Sequence, residues 1–227
     1  MAGQTVSIVA ERLAHVRAGL PAGVTLVAVS KTQPAEAIRE AYAAGQRDFG
    51  ENYAQEWRDK AAALADLDGL VWHFIGALQT NKVKYLLPAE AGAPAAAWVH
   101  TVDRLPLAEE LSKRAARRGV RLRVLLEVNV AAEASKAGAT PEEVGALAER
   151  VRTLPGLELR GLMCIPPAEG DPRPHFARLR ALRDDLGGGL ADLSMGMSGD
   201  YEAAIAEGST LVRVGTAIFG ARPPREP

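Results

Sequence analysis

Sulfur, net charge and long apolar runs are all scarce in this chain, and each scarcity closes off a class of protein. A lone cysteine, Cys164, rules out an internal disulfide. The formal net charge of −1 offers no bulk attraction to a polyanion such as nucleic acid or to an anionic membrane surface. No stretch reaches the roughly 18 consecutive apolar residues of a membrane-spanning helix. The four histidines, at positions 15, 73, 100 and 175, lack the paired spacing of a zinc site, so no metal is expected. No Gly-rich dinucleotide fingerprint follows the first strand-like run, which counts against a Rossmann domain. Glu11 and Arg12 interrupt the N-terminal segment where a signal peptide needs an unbroken apolar core, so a cytoplasmic location is expected.

What is present is the composition of a soluble globular protein, 48% hydrophobic and 24% charged over 227 residues. No linker or shift in composition divides it, so one domain over 1–227 is expected. Ile8, Leu13, Val16 and Leu20 approximate helical spacing and predict a helix over 4–19. Strand-like runs follow at 24–31, 47–51, 70–75, 97–102, 121–130, 157–165, 191–197 and 211–218. Helical stretches lie between them, near 34–44, 53–66, 80–87, 105–118, 140–153, 173–186 and 199–207. Boundary signals support several of these. Pro34 suits a first turn, Gly45 and Gly119 suit helix ends, and Thr140-Pro141-Glu142-Glu143 reads as a cap with an acidic third position. Thr80 or Asn81 is the expected cap of the helix near 80–87. Runs such as Val124-Leu125-Leu126 are apolar throughout, as strands buried on both faces require. Eight β/α units in this length predict a closed (β/α)8 TIM barrel, with an open doubly wound sheet as the runner-up.

Sites in such barrels lie at the C-terminal strand ends. Val27, Val29 and Lys31 share one strand face, which carries an amine inward behind two apolar side chains. A dehydrated lysine there would have a lowered pKa and would be a candidate to form a Schiff base with an aldehyde. At the other end of the chain, Ser198 and Gly199 sit at a strand-to-helix junction where free N–H groups meet an anion. Gly215 permits close approach to the backbone, and Thr216 adds a hydroxyl. The two loops opposite an inward lysine point to a phosphate site. Arg213 shares a strand face with Gly215, and two roles stay open for it. It could bind a ligand's phosphate or ring nitrogen, or it could be a buried arginine paired with an acid such as Glu127. His73 reads as a satisfied core histidine, Cys164 as a small buried apolar residue, and the Arg-rich stretch around 113–123 as a solvated helix face.

The segments AVSKTQP, DFGENYAQE, WHFIGALQTNK, GLMCI and LSMGMSGDYEAAIAEGSTLVRVGTAIFG, in this order, resemble the pyridoxal phosphate homeostasis protein family from about Val24 to Gly220. The resemblance implies a single barrel like the N-terminal domain of alanine racemase, with pyridoxal 5′-phosphate as cofactor. It implies that Lys31 holds the cofactor as an internal aldimine. It places Ser198, Gly199, Gly215 and Thr216 at the phosphate, Arg213 at the pyridine nitrogen, and Asn52 and Met163 close to the cofactor. Ser135-Lys136-Ala137-Gly138 resembles a segment whose lysine affects cofactor handling from the surface. An arginine at the ring nitrogen weakens the electron sink that transaminases rely on. The chain ends at Pro227 without the β-domain of the racemases, so no acid/base pair is evident and no catalytic residue is expected. Binding, buffering and delivery of the cofactor follow, with apo-enzymes as candidate partners and monomer or weak dimer left open. An amino-acid racemase is the alternative, and a cofactor-free Schiff-base aldolase the third reading. The short, proline-rich segment 166–174 departs from the family and bears on the rim of the site.

Overall fold

The apolar run Val124-Leu125-Leu126 packs on both faces because both faces of its strand are covered. In β5 (Leu122–Glu127), Val124 and Leu126 pack outward into the layer beneath the helices, while Leu125 points into a separate inner cluster with Val27, Trp98, Met163 and Leu211. Burying each such leucine contributes about 1.5–3 kcal/mol, and no solvent face remains for polar alternation. The computed structural model describes residues 7–90, 92–133 and 136–221.

Within them, β1 (Thr25–Val29), β2 (Asp48–Glu51), β3 (Val71–Phe74), β4 (Trp98–Val102), β5, β6 (Leu157–Met163), β7 (Asp192–Met197) and β8 (Leu211–Val214) pair in sequence order, all parallel, and β8 returns to β1. The barrel is closed, as predicted, and the open sheet is excluded. Around it run α1 (Ile8–Ala18), α2 (Ala35–Ala43), α3 (Ala54–Ala63), α4 (Val83–Leu86), α5 (Leu105–Arg118), α6 (Val144–Arg152), α7 (Arg173–Leu186), α8 (Tyr201–Ala206) and α9 (Thr216–Phe219). None of the described helices is long and apolar enough to cross a membrane.

Local chemistry sets the boundaries. Ser7 caps α1 by accepting from the Ala10 N–H; positions 4–6 of the predicted helix lie outside the described residues. Gly119 ends α5 at φ 63°, a left-handed conformation that suits glycine. Gly161 lets β6 and β7 approach, because a Cβ there would stand 1.8 Å from the Asp192 carbonyl oxygen. Thr140 and Glu143 form the expected reciprocal box, but they close a turn, and α6 begins only at Val144. Gln79, rather than Thr80 or Asn81, occupies the cap of the 3₁₀ turn Thr80–Lys82 that leads into α4.

Four strands stop two or more residues earlier than predicted. β1 ends at Val29, because Gln33 N–H closes a turn onto Ser30 O at 3.0 Å. β5 ends at Glu127, and Val128 keeps only an isolated parallel bridge to Ala139. β6 ends at Met163. β8 ends at Val214, and the stretch predicted to continue it is instead the short helix α9, whose Ile218 and Phe219 N–H groups both bond Gly215 O at 2.9 Å.

Candidate functional site

At the C-terminal ends of β1, β2, β7 and β8 a cavity of about 270 Å³ opens, near the lower end of small-molecule pockets at ~300 Å³. Lys31, Asn52, Ser198, Gly199, Arg213, Gly215 and Thr216 all line it. The sequence thus places seven side chains or loops that the fold collects from four strand ends. Met163 is not among them. It is fully buried in the inner cluster with Val27, Trp98, Leu125 and Leu211, so its expected place beside the cavity is corrected to one in the barrel packing.

Lys31 is half-buried and comes from a turn rather than from the strand, which corrects the pleat reasoning while leaving the residue in the cavity. That turn is held from below by ions. Lys60 Nζ donates to Ser30 O at 2.6 Å, to Glu51 Oε1 at 2.7 Å and to Glu56 Oε1 at 2.6 Å. Glu56 Oε1 also accepts from Thr32 N–H at 2.5 Å. The peptide groups on both sides of Lys31 are therefore clamped by one ion pair from α3. Thr32 adopts φ 64°, uncommon for a residue with a branched Cβ, and the clamp holds it there. Burial pushes the Glu51 carboxyl above its ordinary range, with Lys60 opposing. Neither Glu56 nor Lys60 was singled out from sequence. A usable signal existed, since Lys60 shares the buried stripe of α3 with Trp57 and Ala61.

The two loops opposite are joined: Gly215 N–H donates to Ser198 Oγ at 3.4 Å. Asp200 Oδ1 accepts from Met197 N–H at 2.6 Å and shapes the first loop. The N–H groups of Ser198, Gly199 and Thr216 donate to no protein atom among the described residues, which suits them to an anion. Gly215 is confined by β1, since a Cβ there would lie 3.1 Å from Val29 O.

Arg213 is 4% exposed and donates to Ser194 Oγ at 2.7 Å and Cys164 O at 2.9 Å. No carboxylate pairs with it among the described residues, so the alternative of an ion pair to Glu127 is not realised. Burial lowers its pKa from the ordinary arginine value. Asn52 Oδ1 is buried without a hydrogen-bond partner. Val29, Ile75, Ile165 and Met197 supply apolar walls.

A second cavity of about 320 Å³ adjoins the first and shares Asn52, Ile75 and Ile165 with it. Glu127 lines it, with its carboxyl raised to about 7 by burial, then by the Asp103 charge, against the pull of Arg213. Lys136 lines it too, and its Nζ donates to Pro166 O and pairs with Glu133, tying the expected surface lysine to the departing 166–174 segment. Ser135 of the same motif lies outside the described residues. No group of three or more potential metal ligands occurs among the described residues.

The family model for the alanine racemase N-terminal domain matches residues 6–223. The pyridoxal phosphate homeostasis protein of Pseudomonas aeruginosa is 53% identical, over 96% of this chain and 97% of its own. That of Escherichia coli strain K12 is 47% identical, over 89% and 87%. The solved structure of PipY from Synechococcus elongatus with pyridoxal phosphate bound superposes with a TM-score of 0.85 at 41% identity, covering 93% of this chain and all (100%) of that one. Alanine racemase from Corynebacterium glutamicum shares the fold, with a TM-score of 0.72 at 14% identity over 96% of this chain and 62% of its own.

Proposed function

The chain belongs to the pyridoxal phosphate homeostasis protein family, and from that premise we propose that it binds pyridoxal 5′-phosphate in the barrel mouth, reversibly on Lys31, to buffer and deliver the cofactor rather than to turn over a substrate. One observation carries the placement. A lysine, two loops with free N–H groups and a buried guanidinium without a carboxylate converge on one cavity. When bound, the cofactor supplies an aldehyde, a phosphate and a ring nitrogen.

The residues fit such a group. Lys31 offers the amine on a clamped turn. Ser198, Gly199, Gly215 and Thr216 take the phosphate. Arg213 offers the ring nitrogen a donor, and the unpartnered amide of Asn52 meets a polar edge of the ring. Domain and partner readings belong to the same proposal: one barrel domain over 1–227, apo-enzymes as recipients, no nucleic acid, and a monomer or weak dimer. A cytoplasmic location belongs to the same proposal.

The test is borohydride reduction of the loaded protein followed by peptide mass spectrometry. A phosphopyridoxyl adduct on Lys31 is expected; an adduct only on surface lysines would remove the site from the barrel mouth.

A second reading, amino-acid racemisation, is favoured by one observation: Glu127, titrating at about 7, lines the adjoining cavity. Exchange of amino-acid α-protons in heavy water discriminates. Exchange at enzymatic rates would replace the carrier reading, and exchange abolished in Glu127→Gln would name the base.

A further inference from the structure

Ser194 lies in the middle of β7, fully buried, between two partners. Its Oγ is 2.7 Å from Arg213 Nη1 and 2.9 Å from His100 Nδ1. His100 Nε2 is 3.0 Å from His73 Nδ1, and His73 Nε2 is 2.9 Å from Asp48 Oδ1. Asp48 opens β2 at the far end of the barrel, and Arg213 lines the mouth. Successive hydrogen bonds thus cross the barrel interior, a region that other barrels fill with branched aliphatic side chains. Ser194, His73 and His100 are 0% exposed. Trp98 stacks flat on His73, with ring centroids 5.5 Å apart and planes 9° from parallel.

The chain has one consistent polarity. A guanidinium only donates, so Ser194 Oγ accepts from Arg213, which leaves its hydroxyl hydrogen available to His100 Nδ1; the Asp48 end of the chain decides whether it is used there. A ring that accepts at Nδ1 carries its proton on Nε2, which His100 donates to His73 Nδ1. His73 is then protonated at Nε2 and donates to Asp48, whose ionised carboxylate only accepts. Reversing the direction fails at Asp48, where two lone pairs would meet, although Ser194 Oγ could accept from Arg213 and His100 together. Every interior polar atom of the chain is satisfied with both histidines neutral, and burial lowers the pKa of each in the same sense. Space-filling alone asks for no such agreement between donors and acceptors on five residues from five strands.

We propose that Ser194, His100, His73 and Asp48 are positioning residues for Arg213: a one-directional hydrogen-bond chain, anchored on Asp48 at the far end of the barrel, fixes the guanidinium as a donor to the ring of the ligand in the mouth. Two of the guanidinium's N–H groups are committed inward, to Ser194 and Cys164, and the remainder are left for the ligand in a fixed orientation. The chain's role rests on the reading of the mouth as a pyridoxal phosphate site; its polarity does not.

The experiment has two parts. Long-range ¹H–¹⁵N correlation spectra of the ligand-free protein, with labelled histidine, report tautomers directly. His73 and His100 are expected to be neutral and protonated at Nε2, and a charged ring or an Nδ1–H tautomer at either position overturns the proposal. Pyridoxal 5′-phosphate and its alcohol analogue, pyridoxine 5′-phosphate, are then titrated into wild type, Ser194→Ala and Asp48→Asn, followed by absorbance. Ser194→Ala is expected to weaken both ligands by about tenfold, since it strands a donor on a charged group. Asp48→Asn changes only the half-exposed far end. It is expected to weaken both ligands by a few fold, to change the absorption band of the bound cofactor and to mix the tautomers of His73. Wild type that binds neither ligand would overturn the function proposed for the mouth and the chain's role with it. Wild type that binds both, with both variants unchanged, overturns the chain alone.

Discussion

Replacing Glu127 by glutamine should raise stability at alkaline pH and leave it nearly unchanged at acid pH. Glu127 is 7% exposed, and its carboxyl titrates at about 7 in the folded protein because burial dehydrates it and Asp103 adds a like charge. The ordinary value is 4.5. A raised folded pKa means that the native state holds its proton more tightly than the unfolded chain. Stability is therefore fully present below about 4.5, falls as pH rises, and has lost its whole contribution above about 7. That interval corresponds to about 3 kcal/mol. Glutamine resembles the protonated acid in shape and never ionises, so the variant escapes the loss. Urea unfolding of both proteins at pH 4.5 and pH 8, free of ligand, measures it. The difference between variant and wild type should grow by about 2–3 kcal/mol toward the higher pH, and other titrating groups cancel in that difference. A pH-independent difference would refute the reasoning, because it would mean that the carboxylate is already compensated where it lies.

Other outcomes follow from single contacts. Lys60→Met leaves Glu51 buried and uncompensated beneath the Lys31 turn; it should cost about 3–5 kcal/mol in a denaturation experiment and lower the yield of the reduced Lys31 adduct, and a variant with wild-type stability and adduct yield would show the clamp to be dispensable. Gly161→Ala drives a Cβ onto the Asp192 carbonyl and should destabilise by about 3 kcal/mol or more, read as a fall in melting temperature; an unchanged melt would mean that β6 and β7 separate freely. The Cys164 thiol, pushed up to about 12 by burial, should resist alkylation at pH 8 in the native protein and react after denaturation; rapid native labelling would contradict its burial.

The barrel was legible because strands buried on both faces advertise themselves as unbroken apolar runs, and Val124-Leu125-Leu126 needs only its neighbours to be read. Strand ends were not, because turn hydrogen bonds set them. Nothing local announces that Gln33 N–H will close onto Ser30 O, or that Gly215 O will gather two N–H groups into α9. Lys31 was found for a reason that needed correcting: alternation placed it on the strand, whereas a turn places it in the cavity. Met163 was placed near the cofactor by resemblance alone; its pairing, which only the fold supplies, sets it level with Ser194 and inside the packing. The clamp hid in an ordinary Glu-Lys pair, Glu56 and Lys60, spaced as on countless solvated helices. Contacts such as His100 to Ser194, 94 residues apart, have no local signature at all.

The clamp has a mechanical consequence. Both peptide groups that flank Lys31 are tied to α3, so the turn that carries the amine is braced by that helix as well as by β2, to which Ser30 is bonded. A small rigid displacement of α3 would carry the amine with it relative to the two loops on the opposite rim. How α3 seats against the barrel therefore bears on where Lys31 stands relative to the two loops, and the buried indole of Trp57, edge-on to Trp72 on β3, is one of the contacts that set it.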